Sequence, residues 1–330
     1  MNMDDVVVVG GGVAGLSAAL VLSRARWSVV VVDAGEPRNA PADGVHNYLG
    51  REGTPPRELT AVGRAEASAY GARIVAGEAV TAVRIPGGFA VTLASGEVLR
   101  GRRLLVTTGL TDELPAIDGL AARWGRDVLH CPFCHGHEVR DRPIGVLGLG
   151  GAGLFQAQLF RQWSRDVTLF LHTGDQPTAQ QWAELAARGI QVVDGEVTGV
   201  EVTDDRLSGI RLDSGAVVPR EALVVASTAR ARSAVLESLG ITPVEIEAHG
   251  IVAGSQIPTT PRTGATSVPG VYVAGSLAEV SAIVIASAAH AAGVAGAITM
   301  DLVTEDVARA VAGPFSAESE REIAVAAHGL

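Results

Sequence analysis

The sequence predicts an α/β protein of two Rossmann-like three-layer units, the second inserted in the first. Three observations predict it. A valine run leads into a glycine-rich turn at residues 5–15, and the same succession returns at residues 144–153. A late apolar strand and an alanine-rich helix then close the chain as a completion of the first unit. At 330 residues and 33.8 kDa the chain is long enough for two domains, and its 47% hydrophobic content supplies apolar surface to bury. Forty glycines and few aromatics suit many tight strand-to-helix turns.

Residues 5–33, DVVVVGGGVAGLSAALVLSRARWSVVVVD, read as strand, turn, helix and strand. Gly10-Gly11-Gly12-Val13-Ala14-Gly15 fits GxGxxG, and Asp33 closes the second strand 18 residues past the last glycine. In that setting the glycines permit the turn and let backbone approach a pyrophosphate at the helix N-terminus, while the carboxylate takes ribose hydroxyls. A tight turn without a ligand is the competing reading. Residues 78–108 alternate apolar and polar around glycine turns, which predicts a small antiparallel meander and a return to the first sheet.

The second unit opens at Ile144, with Gly148-Leu149-Gly150-Gly151-Ala152-Gly153 between its strand and helix. Residues 215–227 mirror the first return, VPGVYVAGS (268–276) is a late strand, and a helix starts near Ala282. The expected division is 1–114 with 246–330 for the first unit and 115–245 for the second. The closing SAESEREIAVAAHGL reads as an amphipathic helix or frayed tail.

Composition narrows the function. A net charge of −10 lacks the footprint of a nucleic-acid binder. All 26 basic residues are arginine, so lysine Schiff-base chemistry is excluded. The acidic start is unlike a signal peptide, and no run is read as reaching the ~20 apolar residues of a membrane span, so a soluble cytoplasmic protein without membrane partners is expected.

LHCPFCHGHEV, Leu129 to Val139, holds both cysteines and three of the eight histidines. A metal clamp, a structural staple and a redox centre are the three readings. In a cytoplasmic chain a lone CxxC points to catalysis or metal rather than a staple. Zinc asks for four ligands, and no second CxxC or HxxxH supplies them, so no metal is expected. Pro132 suits a first helical turn.

Taken together, GGGVAG, NYLG at Asn47–Gly50, TTG at Thr107–Gly109, a CxxC just ahead of the second unit's strand, and VPGVYVAGS carry a resemblance over nearly the whole chain. The sequence resembles the low-molecular-weight thioredoxin reductases, and among them the dithiol oxidases that close disulfides in microbial natural products such as gliotoxin and holomycin. The resemblance implies FAD in the first unit. Gly10, Gly12, Val13, Ala14 and Gly15 would cradle its pyrophosphate, Asp33 would bind the adenosine ribose, and Asn47 would lie near the isoalloxazine. Thr108 and Gly109 complete the set with Gly275-Ser276, where the family carries Gly-Asp or Gly-Asn. Ile283 and Val284 open the helix whose N-terminal amides would face flavin N1 and O2, a turn that often holds Gln or Arg in the family.

By the same resemblance Cys131 is the outer sulfur that exchanges with substrate and Cys134 the inner one that passes electrons to flavin C4a. His135 stands where thioredoxin reductases place an acid/base aspartate. Its imidazole suits removal of a thiol proton, the alternative being a solvated residue at a helix start. His130 and His137 inherit no role.

The direction of electron flow rests on the second unit. The family reads the NADPH 2′-phosphate with an arginine-rich HRR-type stretch, whereas Leu171-His172-Thr173-Gly174-Asp175-Gln176-Pro177 contains no arginine. The expected activity is therefore oxidation of a small-molecule dithiol, with O2 as terminal acceptor giving H2O2. Intact Gly148, Gly150 and Gly153 keep an NAD(P)H-dependent disulfide reductase as the alternative, and a non-catalytic flavoprotein is a third class. Residues 38–60 are expected to wall the substrate pocket. A homodimer is inherited from the family alone.

Overall fold

The computed structural model describes residues 3–312 and 316–328. In the first unit β1 (Asp4–Val9), α1 (Val13–Arg24), β2 (Val29–Asp33), α2 (Pro56–Ala69) and β3 (Arg73–Ala76) alternate, then β4 (Ala79–Ile85), β5 (Gly88–Leu93) and β6 (Val98–Val106) form the predicted meander. β6 plays two parts. Its first half pairs antiparallel with β5, and its second half lies parallel to β1.

After β7 (Leu110–Glu113) comes the second unit: β8 (Val128–Leu129), α3 (Pro132–His135), β9 (Ile144–Leu147), α4 (Gly150–Phe160), β10 (Val167–Phe170), α5 (Ala179–Ala187) and β11 (Gln191–Val193). Its own meander, β12 (Val197–Thr203), β13 (Arg206–Leu212) and β14 (Val217–Val218), precedes the return strand β15 (Ala222–Val224). The chain then runs through β16 (Thr228–Ala231), α6 (Ala234–Glu237), β17 (Val244–Ala248), β18 (Ile251–Gln256), β19 (Val271–Val273), α7 (Val284–Val311) and α8 (Ala317–His328).

The first sheet has the order β3-β2-β1-β6-β5-β4, with β19 also pairing β6. The second has the order β11-β10-β9-β15-β8, all parallel. Their apolar central strands are buried on both faces, as parallel strands between two layers must be. α1 and α7 cover one face of the first sheet through Ala18, Leu22, Ala291, Val294 and Ile298; the meander residues Ala82, Phe89 and Val91 cover the other. The second sheet repeats the plan, with Ala157 and Phe160 of α4 on one face and Val200, Leu207 and Ile210 on the other. Each fully buried Val, Leu or Phe contributes about 1.5–3 kcal/mol. Two cores therefore form, one around each sheet.

Two sequence expectations change. Residues 228–245, assigned to the second unit, pack with the first: Val235, Leu236 and Ile241 are buried among Val7, Val9, Val30 and Leu277. The return crossing thus falls near Ser227, because β16 pairs antiparallel with the outgoing β7 and the two crossings lie side by side. The second change concerns apolar length. By length and composition α7 is apolar enough to span a membrane, contrary to the sequence reading. Here its face of Ala291, Val294, Ala295, Ile298 and Leu302 packs on the first sheet.

Candidate active site

One cavity of about 1760 Å³ runs between the units. Pockets for single ligands span about 300–1,000 Å³, so it has room for more than one molecule. It is lined by Gly10, Gly12, Val13, Ala14, Asp33, Asn47, Thr108, Gly109, Ser276, Ile283 and Val284 as well as Cys131, Cys134 and His135. Gly15 and Gly275 lie behind its wall. A Cβ on Gly15 would overlap the Gly10 carbonyl oxygen and lie 2.7 Å from Thr107 Oγ1, and Gly275 has a positive φ of 76°. Both shape the lining from behind.

The cavity meets the N-terminus of α1. Gly12 is the N-cap and supplies no side chain, and the first intrahelical bond there is Leu16 N–H to the Gly12 carbonyl. The amides of Val13, Ala14 and Gly15 thus lack intrahelical acceptors, an arrangement that favours an anion. A Cβ on Gly12 would meet nothing within 4 Å, so that side of the turn is open. This cradle fits a dinucleotide pyrophosphate. Asp33 is held by Arg64 of α2, and its other oxygen accepts the Gly35 N–H at 3.1 Å. Arg64 escaped the sequence reading because a lone arginine on a surface helix carries no motif. Thr107 also escaped as a site residue: its buried hydroxyl ties the end of β6 to the Val9 and Gly10 carbonyls. The Thr108 hydroxyl donates to the Arg232 carbonyl at 2.7 Å. Ile283 caps α7 without a side-chain bond, leaving that first turn open at the cavity wall.

The CxxC lines the same cavity. Cys131 and Cys134 form a disulfide, with their Cα atoms 5.3 Å apart. Cys131 is the N-cap of α3 and Pro132 opens the turn, so the Cys134 and His135 amides both donate to the Cys131 carbonyl at 3.2 Å. Asn47 Nδ2 donates to the Phe133 carbonyl, gripping this turn through its backbone. Asn47 itself has φ 60°, a conformation asparagine tolerates better than most residues.

His135 is largely buried, and neither ring nitrogen has a hydrogen-bond partner. Burial pushes its pKa below the usual imidazole value, with Glu138 opposing the shift, which favours the neutral ring. This removes the solvated alternative. His46 bridges two carboxylates, Nδ1 to Glu52 at 2.7 Å and Nε2 to Glu138 at 3.5 Å. Glu52 also accepts the Asn47 amide at 2.8 Å, and these bonds hold its carboxyl below the usual range. The 43–52 loop is thereby tied to α3. His46 lies one residue before the NYLG motif and Glu138 three after His135, which is the signal that could have found them.

His130 Nδ1 donates to the Val225 carbonyl at 3.2 Å, and burial lowers its pKa. His130 also lines the cavity. His137 is exposed.

The second glycine turn is covered on one side. A Cβ on Gly151 would lie 2.6 Å from the His249 carbonyl oxygen, and one on Gly150 2.5 Å from Ile251 Cγ2. The tip of the β17–β18 hairpin thus packs against the α4 N-terminus at Gly150 and Gly151 and covers that side of the turn, while Ala152 of the same turn lines the cavity. Phe155 of α4 stacks on His249 with ring centroids 4.2 Å apart. Gly148, Gly150, Gly151 and Gly153 do not line the cavity. His172, in the turn that lacks arginine, uses Nδ1 to accept the Val197 N–H at 3.0 Å.

A family model for pyridine nucleotide-disulphide oxidoreductases matches residues 4–294, which spans both glycine turns and the CxxC. The chain belongs to that family. This pyridine nucleotide-disulphide oxidoreductase is of the thioredoxin-reductase-like kind, whose members are FAD-binding flavoproteins. It is 30% identical over 289 residues to thioredoxin reductase aclD of Aspergillus oryzae, covering 82% of this chain and 87% of the relative. It is 29% identical over 263 residues to thioredoxin reductase tcpT of Claviceps purpurea, covering 73% and 78%. Among solved structures, that of HlmI superposes with TM-score 0.85 at 44% identity, covering 94% of this chain and 95% of HlmI. An oxidoreductase from Agrobacterium tumefaciens also gives 0.85, at 32% identity over 92% of this chain and 99% of its own.

Proposed function

We propose that the protein is an FAD-dependent dithiol oxidase that closes a disulfide in a small-molecule dithiol. One observation carries the reading: the CxxC shares a cavity with the open first glycine turn, while the second glycine turn is covered at Gly150 and Gly151 by His249 and Ile251. FAD bound along that cavity would supply the two-electron acceptor for the enzyme dithiol, with O2 as final oxidant reduced to H2O2.

The chain's own residues account for the thiol chemistry. A substrate thiolate attacks Cys131 Sγ, forming a mixed disulfide as the Cys131–Cys134 bond breaks and Cys134 leaves as thiolate. The second substrate thiol, deprotonated, attacks the substrate sulfur of that mixed disulfide and displaces Cys131. The substrate loses two electrons and two protons, and the CxxC gains the electron pair. His135, neutral and without a partner, takes a thiol proton. The His46–Glu52–Glu138 set and Asn47 hold the CxxC turn while its sulfurs part.

The second reading is an NAD(P)H-dependent disulfide reductase, favoured by the intact glycines of the second unit and by relatives named thioredoxin reductase. Anaerobic spectra decide between the two. Dithiothreitol is expected to bleach the flavin while NADPH and NADH leave it oxidised, with O2 uptake following dithiol on return to air. Rapid bleaching by NADPH with none by dithiol would overturn the oxidase reading.

A further inference from the structure

Oxidation of a dithiol releases two protons, and the CxxC site has to pass them to water. His135, next to Cys134, has both ring nitrogens buried and without a partner, so it offers no hydrogen-bonded path out. A second imidazole in the same wall does. His46 lines the cavity that holds Cys131 and Cys134, its side chain is 20% exposed, and each of its nitrogens faces a carboxylate. Those carboxylates, Glu52 and Glu138, are themselves 65% and 41% exposed, and neither lines the cavity. His46 therefore stands between the cavity and two groups that meet bulk water.

Its two nitrogens are not equivalent. Nδ1 lies 2.7 Å from Glu52 Oε1, while the other oxygen of Glu52 accepts the Asn47 amide at 2.8 Å. An ionised carboxylate only accepts, so Nδ1 carries the hydrogen and Nε2 keeps the lone pair that can take a proton. Nε2 lies 3.5 Å from Glu138 Oε1, beyond hydrogen-bond range yet close enough for the carboxylate charge to stabilise an imidazolium. Both partners lead to the cysteines. Glu138 follows Cys134 by four residues, and Asn47, adjacent to His46, donates to the Phe133 carbonyl between the two sulfurs.

We propose that His46 carries the thiol protons out of the CxxC site: Nε2 takes each proton and hands it to Glu138 and water, while Glu52 holds Nδ1–H. This path rests on the dithiol-oxidase reading and adds to it the fate of the protons. For each dithiol, two S–H bonds break and one S–S bond forms; the electron pair opens the Cys131–Cys134 disulfide to two thiolates, and two protons reach solvent. Asp43 and Glu52 of its own loop, and Glu138, His135 and His137 of the α3 segment, are the titratable groups around it.

The test is anaerobic flavin reduction of the holoenzyme by dithiothreitol at about pH 7, where thiols enter protonated, and about pH 9.5, where they enter largely as thiolates. His46→Asn keeps an N–H for Glu52 and cannot carry a proton. It is expected to slow reduction about 100-fold at the lower pH, the low end of general acid–base catalysis, and by no more than about threefold at the higher. Imidazole added at the lower pH is expected to restore most of the loss and to leave wild type unchanged. A strap with a structural role alone gives a loss that is equal at both pH values and is not restored. That result, or a wild-type rate in His46→Asn at the lower pH, overturns the proposal and leaves the oxidase reading standing. Glu138→Gln replaces His46→Asn if that variant does not retain flavin, with the same pH-dependent, imidazole-restored loss expected and the same results overturning it. Failure of dithiothreitol to reduce the wild type overturns both.

Discussion

The glycine turn of α1 offers a paired perturbation whose two halves must respond differently. Gly12→Ala adds a methyl that meets no protein atom within 4 Å, so the apoprotein has space for it. Its effect on apoprotein stability should stay within about 1 kcal/mol, the scale of an N-cap change. Gly15→Ala places the same methyl onto the Gly10 carbonyl and 2.7 Å from Thr107 Oγ1, where backbone has to move. Overpacking of that kind costs about 1–3 kcal/mol, or roughly 2–12 °C in Tm. For flavin the order reverses in kind. The Gly12→Ala methyl intrudes directly on the cradle and should weaken FAD binding by roughly 10–100-fold on the same overpacking scale. Urea unfolding of the apoproteins and fluorescence titration with FAD separate the two effects. Wild-type flavin affinity in Gly12→Ala would refute the placement of the pyrophosphate, and wild-type stability in Gly15→Ala would refute the packing behind it.

Further outcomes follow from the same geometry. His135 is held below its unfolded pKa of about 6.5, so its contribution is fully present above pH ~6.5 and is lost as pH falls from there toward the lower folded value. His135→Phe should therefore flatten the fall of the urea midpoint below about pH 6.5, though His130, His172 and His290, also lowered by burial, keep part of the slope. An identical slope in the variant would show that His135 is not desolvated. Cys131→Ala should abolish dithiol-driven flavin reduction while leaving FAD bound; reduction at the wild-type rate would remove Cys131 from the exchange. Arg103 ties β6 to α7 through Asp301, at 2.6 Å, and Glu305, at 2.8 Å, and Asp301 also accepts the Tyr272 hydroxyl. Arg103→Leu should cost about 1–3 kcal/mol by calorimetry, less than a fully buried pair because Asp301 is 36% exposed. NADPH at millimolar concentration should leave Tm unchanged, and a concentration-dependent rise would mean that the hairpin yields the second glycine turn.

Both glycine turns, the first unit's meander and the CxxC were legible from spacing, because a strand-to-helix turn and a first helical turn are set by neighbours in sequence. The placement of α7 was legible to two residues for the same reason. The second domain crossing was not, since Val235, Leu236 and Ile241 look alike whichever core they enter. Arg64 and Glu52 were missed because each acts through a partner that no local pattern names.

Sequence alone determined that two dinucleotide-type turns and a redox-type cysteine pair exist, through backbone freedom at glycine and the reach of a CxxC. Only the tertiary structure decided that the first turn opens on the cavity and the second is covered. That difference depends on where a hairpin almost 100 residues downstream of the second turn comes to rest, which the packing of the two units fixes and no stretch of either turn encodes.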